Sequence, residues 1–117
     1  MVGIEIRSEV RPEKREEFLQ ALESLRPPAD GEGGCLSQGL YEARGRPNQF
    51  LWVEHWPDQA QVQLRLRSER FRALIGAVRV LGTVDGIQVV EVATWRQVAE
   101  DEGRSDTRPK RALNSER

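Results

Sequence analysis

Apolar and polar residues alternate along this chain with two periods, and the switches between them mark out its elements. Val2, Ile4, Ile6 and Val10 interleave with Gly3, Glu5, Arg7 and Glu9, the period of a strand with one buried face. Ser8 interrupts that apolar set. Pro12 suits a first helical turn, where its missing N–H costs nothing, and Glu13, Glu16 and Glu17 lie near the positive end of the helix dipole. Phe18, Leu19, Leu22 and Leu25 follow at helical spacing until Pro27 and Pro28 stop the helix. A loop over 29–34 leads to a second strand, with Leu36 and Leu40 on one face and Cys35, Tyr41 and Ala43 on the other. The polar stretch 44–49 then joins it to a third strand as a hairpin.

That third strand, from Phe50 to Trp56, is closed by Pro57 and Asp58. It carries Glu54, His55 and Trp56 to the mouth of a helix: a negative charge, a group of the type that titrates near neutrality, and a large flat ring. Residues 62–67 alternate as a strand would. Even so, Asp58 is a good N-cap, and Phe71, Leu74, Ile75, Val78 and Leu81 continue at helical spacing, which predicts one helix from Asp58 to Gly82. After Asp85 and Gly86, the β-branched run 87–95 is apolar on both faces and predicts a last strand covered from two sides. From Val98 onward half the residues are charged, five of each sign and without periodicity. We expect a solvated, removable tail at 98–117.

The order β-α-β-β-α-β predicts an α+β fold of the ferredoxin-like type over 1–97, an antiparallel sheet with two helices on one face. The other face lacks a helical cover, so a two-fold dimer with sheets face to face is expected. At 117 residues the chain is one domain, too short for a separate cofactor domain. The net charge of −1 supplies no field to attract nucleic acid or an anionic membrane, and no apolar run approaches the ~20 residues that span a bilayer. The start alternates like a strand and lacks the order of a signal peptide. The single Cys35 has no partner for an internal disulfide, and no Cys/His cluster offers a metal site. These features point to a reducing, cytoplasmic setting with no bound metal.

Gly34-Cys-Leu-Ser, Leu40-Tyr41, Phe50, Glu54-x-Trp56, a capped helix, then Leu66, Ser68 and Phe71 together resemble the antibiotic biosynthesis monooxygenase family of dimeric α+β barrels. The resemblance spans roughly residues 2–95. It implies a homodimer that oxidises a small aromatic, a quinol or polyketide anthrone, with O2 as co-substrate and without metal or flavin. Where many relatives carry a histidine, nine residues past the tryptophan, this chain has Arg65. Haem-degrading relatives need an axial histidine and a tryptophan where Ile75 and Arg65 stand, which disfavours haem chemistry here.

Oxygenation without a cofactor requires an electron-rich anion, because ground-state O2 accepts electrons one at a time. The site must supply a base, an anion stabiliser and a dry aromatic wall. His55, the only histidine, is a candidate base or else a strand-end or dimer-contact residue. Glu54 shares Trp56's face and is the other candidate base, or a structural hydrogen-bond acceptor. Arg65 is a permanent cation that can hold a phenolate or peroxide through paired hydrogen bonds, or can be a solvated helix arginine. Trp52 and Trp56, two apart on one face, are candidate pocket walls or core, and Tyr41 could orient a substrate oxygen. Cys35 reads as an inert thiol. Three readings follow: a cofactor-free oxygenase, a ligand-binding or regulatory domain, and a dimerisation module.

Overall fold

The computed structural model describes residues 1–27 and 34–101. The alternating N-terminus forms β1 (Val2–Val10), with Val2, Ile4, Ile6, Ser8 and Val10 all buried on one face. Pro12–Lys14 makes a 3-10 turn that opens α1 (Arg15–Ser24), whose buried face is Phe18 and Leu22. β2 (Ser37–Glu42) and β3 (Gln49–Trp56) form the expected hairpin, in which Gly45 and Asn48 take the left-handed backbone that the turn requires. Arg15 clamps α1 to the edge of this hairpin through two hydrogen bonds to Glu42, at 2.6 and 2.8 Å. Those bonds, with a third from the Asn48 amide, hold the Glu42 carboxyl down at about 2.

The helix predicted from Asp58 to Gly82 is two helices, α2 (Gln59–Leu66) and α3 (Glu69–Leu81). Asp58 caps the first by accepting from the Gln61 amide at 2.9 Å. Ser68 ends one helix and starts the other: its hydroxyl donates to the Arg65 carbonyl at 2.8 Å and accepts from the Phe71 amide at 3.1 Å. A serine that can serve both ends breaks the helix even though the apolar period runs on through it.

The last strand also differs from expectation. β4 (Gly82–Glu91) begins directly at the end of α3 and stops four residues short of Trp95. Gly82 sits in extended backbone against the Glu9–Val10 backbone and pairs with Val10, so helix turns into strand without a loop. Ile87, Val89 and Val90 are 41, 42 and 37 % exposed, so the two-sided cover expected for this strand is not supplied by the described residues. Of the tail, only residues 98–101 fall among those described; the expectation for the rest lies outside them.

The sheet is antiparallel throughout, in the order β2-β3-β1-β4, which makes the fold the ferredoxin-like α+β arrangement with three helices on one face. Register assigns the faces. Val2, Ile4, Ile6 and Ser8 pair with Trp56, Glu54, Trp52 and Phe50 on the helix side; Gly3, Glu5 and Arg7 pair with His55, Val53 and Leu51 on the open side. The core lies between sheet and helices, with Ile4, Phe18, Val62 and Leu74 wholly buried. Each such side chain contributes about 1.5–3 kcal/mol. No helix among the described residues is long and apolar enough to cross a membrane.

Two glycines should respond oppositely to alanine. A methyl group at Gly82 would overlap the Glu9 carbonyl oxygen and lie 2.7 Å from Val10 Cα. Both are backbone atoms and cannot rotate away, so Gly82→Ala should cost at least ~1–3 kcal/mol. Gly76, exposed on α3, has nothing within 4 Å of that position, and Gly76→Ala should gain up to ~1 kcal/mol of helix propensity. Urea midpoints at unchanged m-value check both.

Candidate functional site

The strand period places Trp52, Glu54 and Trp56 side by side on the helix face of β3, and α2, capped by Asp58, carries Arg65 over them. Glu54 is fully buried and Arg65 is 6 % exposed. Oε1 of Glu54 accepts from Trp56 Nε1 and Arg65 Nε, both at 2.9 Å. Oε2 accepts from Trp52 Nε1 at 2.8 Å and Arg65 Nη2 at 2.6 Å. Removing a carboxylate from water costs several kcal/mol, and only paired charge with full hydrogen bonding offsets that. Here two indoles and a bidentate guanidinium do so. The Arg65 guanidinium also lies 5.3 Å from the centre of the Phe71 ring.

Four of the six candidate residues therefore form one cluster, joined to one another. Nε and Nη2 of Arg65 are committed to Glu54 rather than pointed at open space, and each Glu54 oxygen already accepts two N–H groups, leaving no lone pair for a substrate proton. The other two candidates lie on the opposite side of the sheet. His55 faces Gly3 and Ser37 across the open face, its Nδ1 2.9 Å from the Ser37 hydroxyl. Tyr41, opposite Leu51 on that same face, is 60 % exposed. Cys35 is half-buried beside the cluster; burial first, then the Glu54 charge, raises its thiol above the ordinary value, so it remains a thiol.

A cleft of about 310 Å3 opens on the helix side between α1 and the β2–β3 hairpin. Leu19, Leu22, Leu40 and Trp52 wall it, Gln38 contributes an amide, and the Glu23–Arg26 pair lies at its exposed rim. Its size falls at the lower end of the ~300–1,000 Å3 typical of ligand pockets. Trp52 alone joins cleft and cluster. Leu19, Leu22, Gln38 and Leu40 were not singled out as site residues by sequence reasoning; the available signal was that Gln38 lies between Leu36 and Leu40 on their strand face. A larger cleft of about 390 Å3, where Val2, Pro57, Gln59 and Val92 meet, touches none of the candidate side chains. Among the described residues no three His, Cys, Asp or Glu side chains converge to hold a metal ion.

A family model described as antibiotic biosynthesis monooxygenase matches residues 1–77. The chain is 32% identical over 75 residues to YcnE of Bacillus subtilis (strain 168), named a putative monooxygenase; the match covers 64% of this chain and 79% of YcnE. It is 30% identical over 66 residues to sll1783 of Synechocystis, covering 56% of this chain and 45% of that one. The fold resembles a structure from Deinococcus radiodurans described as a putative antibiotic biosynthesis monooxygenase, with a TM-score of 0.73 at 22% identity over 85% of this chain and 99% of that one. It also resembles Rv0793 of Mycobacterium tuberculosis, with a TM-score of 0.64 at 21% identity over 84% and 98%.

Breaking the Glu54–Arg65 pair should be a folding defect before it is anything else. Arg65→Ala leaves a buried carboxylate with two indole donors and no cation, at a cost of about 3–5 kcal/mol. Arg65→Lys should restore only part of this, since an ammonium lacks the planar fork. Chemical denaturation reads both, and a wild-type midpoint for Arg65→Ala would contradict the structural role.

Proposed function

Because the chain belongs to the antibiotic biosynthesis monooxygenase family, we propose that it is a cofactor-independent monooxygenase that oxidises a small hydroxylated aromatic with O2 in the cleft between α1 and the β2–β3 hairpin. The observation that carries this reading is the cleft itself, about 310 Å3 in volume, with leucine walls and the ring of Trp52. The name of YcnE supports the same reaction class.

The chemistry runs through a substrate anion. An anthrone-type methylene loses a proton, the carbanion gives one electron to O2, and the radical pair combines to a peroxide. Reprotonation and loss of water leave a carbonyl, so that one methylene and one O2 become one carbonyl and one water. Among the cleft-lining residues the carboxylate is Glu23, and the substrate proton leaves through it to solvent. Trp52 supplies the flat contact surface. Glu54, Arg65 and Trp56 act through Trp52 as positioning residues: the indole N–H is held at 2.8 Å by a carboxylate that cannot move without breaking three other bonds.

A second reading, a ligand-binding domain without turnover, is favoured by two observations: Glu54 and Arg65 are committed to each other, and His55 lies on the opposite face. Oxygen consumption separates the two. Against a panel of hydroquinones, naphthohydroquinones and anthrones, the protein should raise O2 uptake above the buffer rate for at least one member. Leu40→Trp, which fills the cleft from its half-buried wall, should reduce that uptake at least tenfold while the protein stays folded. Binding without uptake would move the assignment to the second reading, and unchanged uptake in Leu40→Trp would remove the cleft from the mechanism.

The open face of the sheet, with Leu51 and Val53 half-buried at its centre and Val90 at its edge, fits a second copy of the chain in a two-fold dimer. This also gives Tyr41 and His55 a role in contacts between protomers. Light scattering at micromolar concentration should return twice the chain mass, and a stable monomer would contradict the dimer.

A further inference from the structure

Beside the cleft lies a buried hydrogen-bond donor with nothing to donate to. Among the described residues, Nε2 of Gln38 is a buried side-chain nitrogen without a partner, and Gln38 is part of the cleft lining. Buried polar groups in native proteins are almost always paired, so an orphan requires a reason. The register supplies one. Gln38 lies directly opposite Glu54 across the β2–β3 ladder, beside the strongest acceptor on that face. Both oxygens of that carboxylate are already taken by four N–H groups from Trp52, Trp56 and Arg65. The cluster that makes Glu54 tolerable in the core thus denies its neighbour an acceptor.

We infer that Gln38 is a specificity-determining residue of this cleft, and that its amide N–H engages an acceptor oxygen, a ring carbonyl or phenolate, on an aromatic ligand seated against Trp52. The inference rests on the placement of the ligand proposed above. Three features of the cleft favour Gln38 for this role. Apart from the Glu23–Arg26 pair at the rim, its lining is otherwise leucine, Gly39 and an indole whose own N–H is committed to Glu54. The other donor nearby, Arg26, sits at the exposed rim in an ion pair with Glu23 at 3.0 Å, where solvent weakens its preference for any one ligand. The terminal torsion of a glutamine amide is soft, so Nε2 turns toward a ligand at little cost. A ring without the oxygen leaves the donor unpaired, and sites that present a buried polar group discriminate strongly against ligands that cannot meet it.

A matched pair of probes tests this. 1-Tetralone carries one ring oxygen that only accepts; tetralin has the same ring skeleton and none. Both are titrated into the wild-type protein and Gln38→Leu, with dissociation constants taken from the shift of the Trp52 indole N–H in NMR spectra and folding checked by the unfolding midpoint. In the wild type, 1-tetralone should bind about tenfold more tightly than tetralin, the ratio that one hydrogen bond of ordinary strength sustains. Gln38→Leu should erase the difference by weakening the ketone and tightening the hydrocarbon, and Gln38→Glu, which replaces the donor with an acceptor, should not restore it. Equal binding of the two probes to the wild type, or a preference that survives in Gln38→Leu, would overturn the role of Gln38 while leaving the cleft as a binding site. If neither probe moves the Trp52 signal, the placement of the ligand falls and this assignment falls with it.

Discussion

A carboxylate with no access to water organises the interior of this protein. Glu54 lies on the central face of β3, between two tryptophans, and would be expelled from the core if it were not hydrogen-bonded on every side. Each of its oxygens accepts one indole N–H and one guanidinium N–H. The consequences reach well beyond the pair. Arg65 must stay on the inner side of α2, which sets the roll of that helix on the sheet. Trp52 and Trp56 are fixed in orientation as well as in position. Ser68, whose hydroxyl donates to the Arg65 carbonyl, ends α2 close behind the arginine. A hydrophobic residue at position 54 would satisfy the core equally well, but it would leave two indole N–H groups and a guanidinium without acceptors, so the four side chains stand or fall as a unit.

The same network determines what the cleft beside it can offer. Trp52 belongs to both: its N–H points into the cluster and its ring forms part of the cleft wall. With Glu54 saturated and Arg65 held to it, the permanent cation near the site stabilises the protein's own anion. The polar character left to the cleft comes from Gln38 inside and from the Glu23–Arg26 pair at the rim. On the proposed reading, a substrate oxygen would be met by the Gln38 amide and the substrate ring by leucines and one indole.

Much of this fold was legible in the sequence because it depends on period. The alternation in β1, the hairpin around Gly45 and Asn48, the apolar stripe from Phe71 to Leu81 and the family resemblance all follow from spacing. The break at Ser68 was not legible in that way, since hydrophobic periodicity is blind to a side chain that competes with the helix for backbone hydrogen bonds. The early start of β4 was missed for a related reason: Gly82 reads as a helix stop, and only the close approach of the Glu9–Val10 backbone shows that it is also the first residue of a strand. For the site, the alternation put Trp52, Glu54 and Trp56 on one face. It could not show that Arg65 turns inward toward them, because that depends on the roll of α2. It equally assigns His55 to the other face, where the strand-end or dimer-contact alternative for this residue lies. For Gln38 the alternation gives only its strand face, shared with Leu36 and Leu40; a glutamine in an edge strand acquires further meaning only when its neighbours' hydrogen bonds are counted.

The saturation of Glu54 is the claim on which the rest depends, and the three tryptophans make it directly measurable. Trp52 and Trp56 are 3 and 4 % exposed and donate to Glu54, whereas Trp95 is 67 % exposed and serves as an internal reference. Amide-type hydrogen exchange followed at the indole N–H resonances should show two strongly protected protons and one exchanging at the rate of a free indole. Glu54→Gln should shift both protected signals and leave the third in place. Three indole protons exchanging alike, or protected signals that do not respond to Glu54→Gln, would contradict the account.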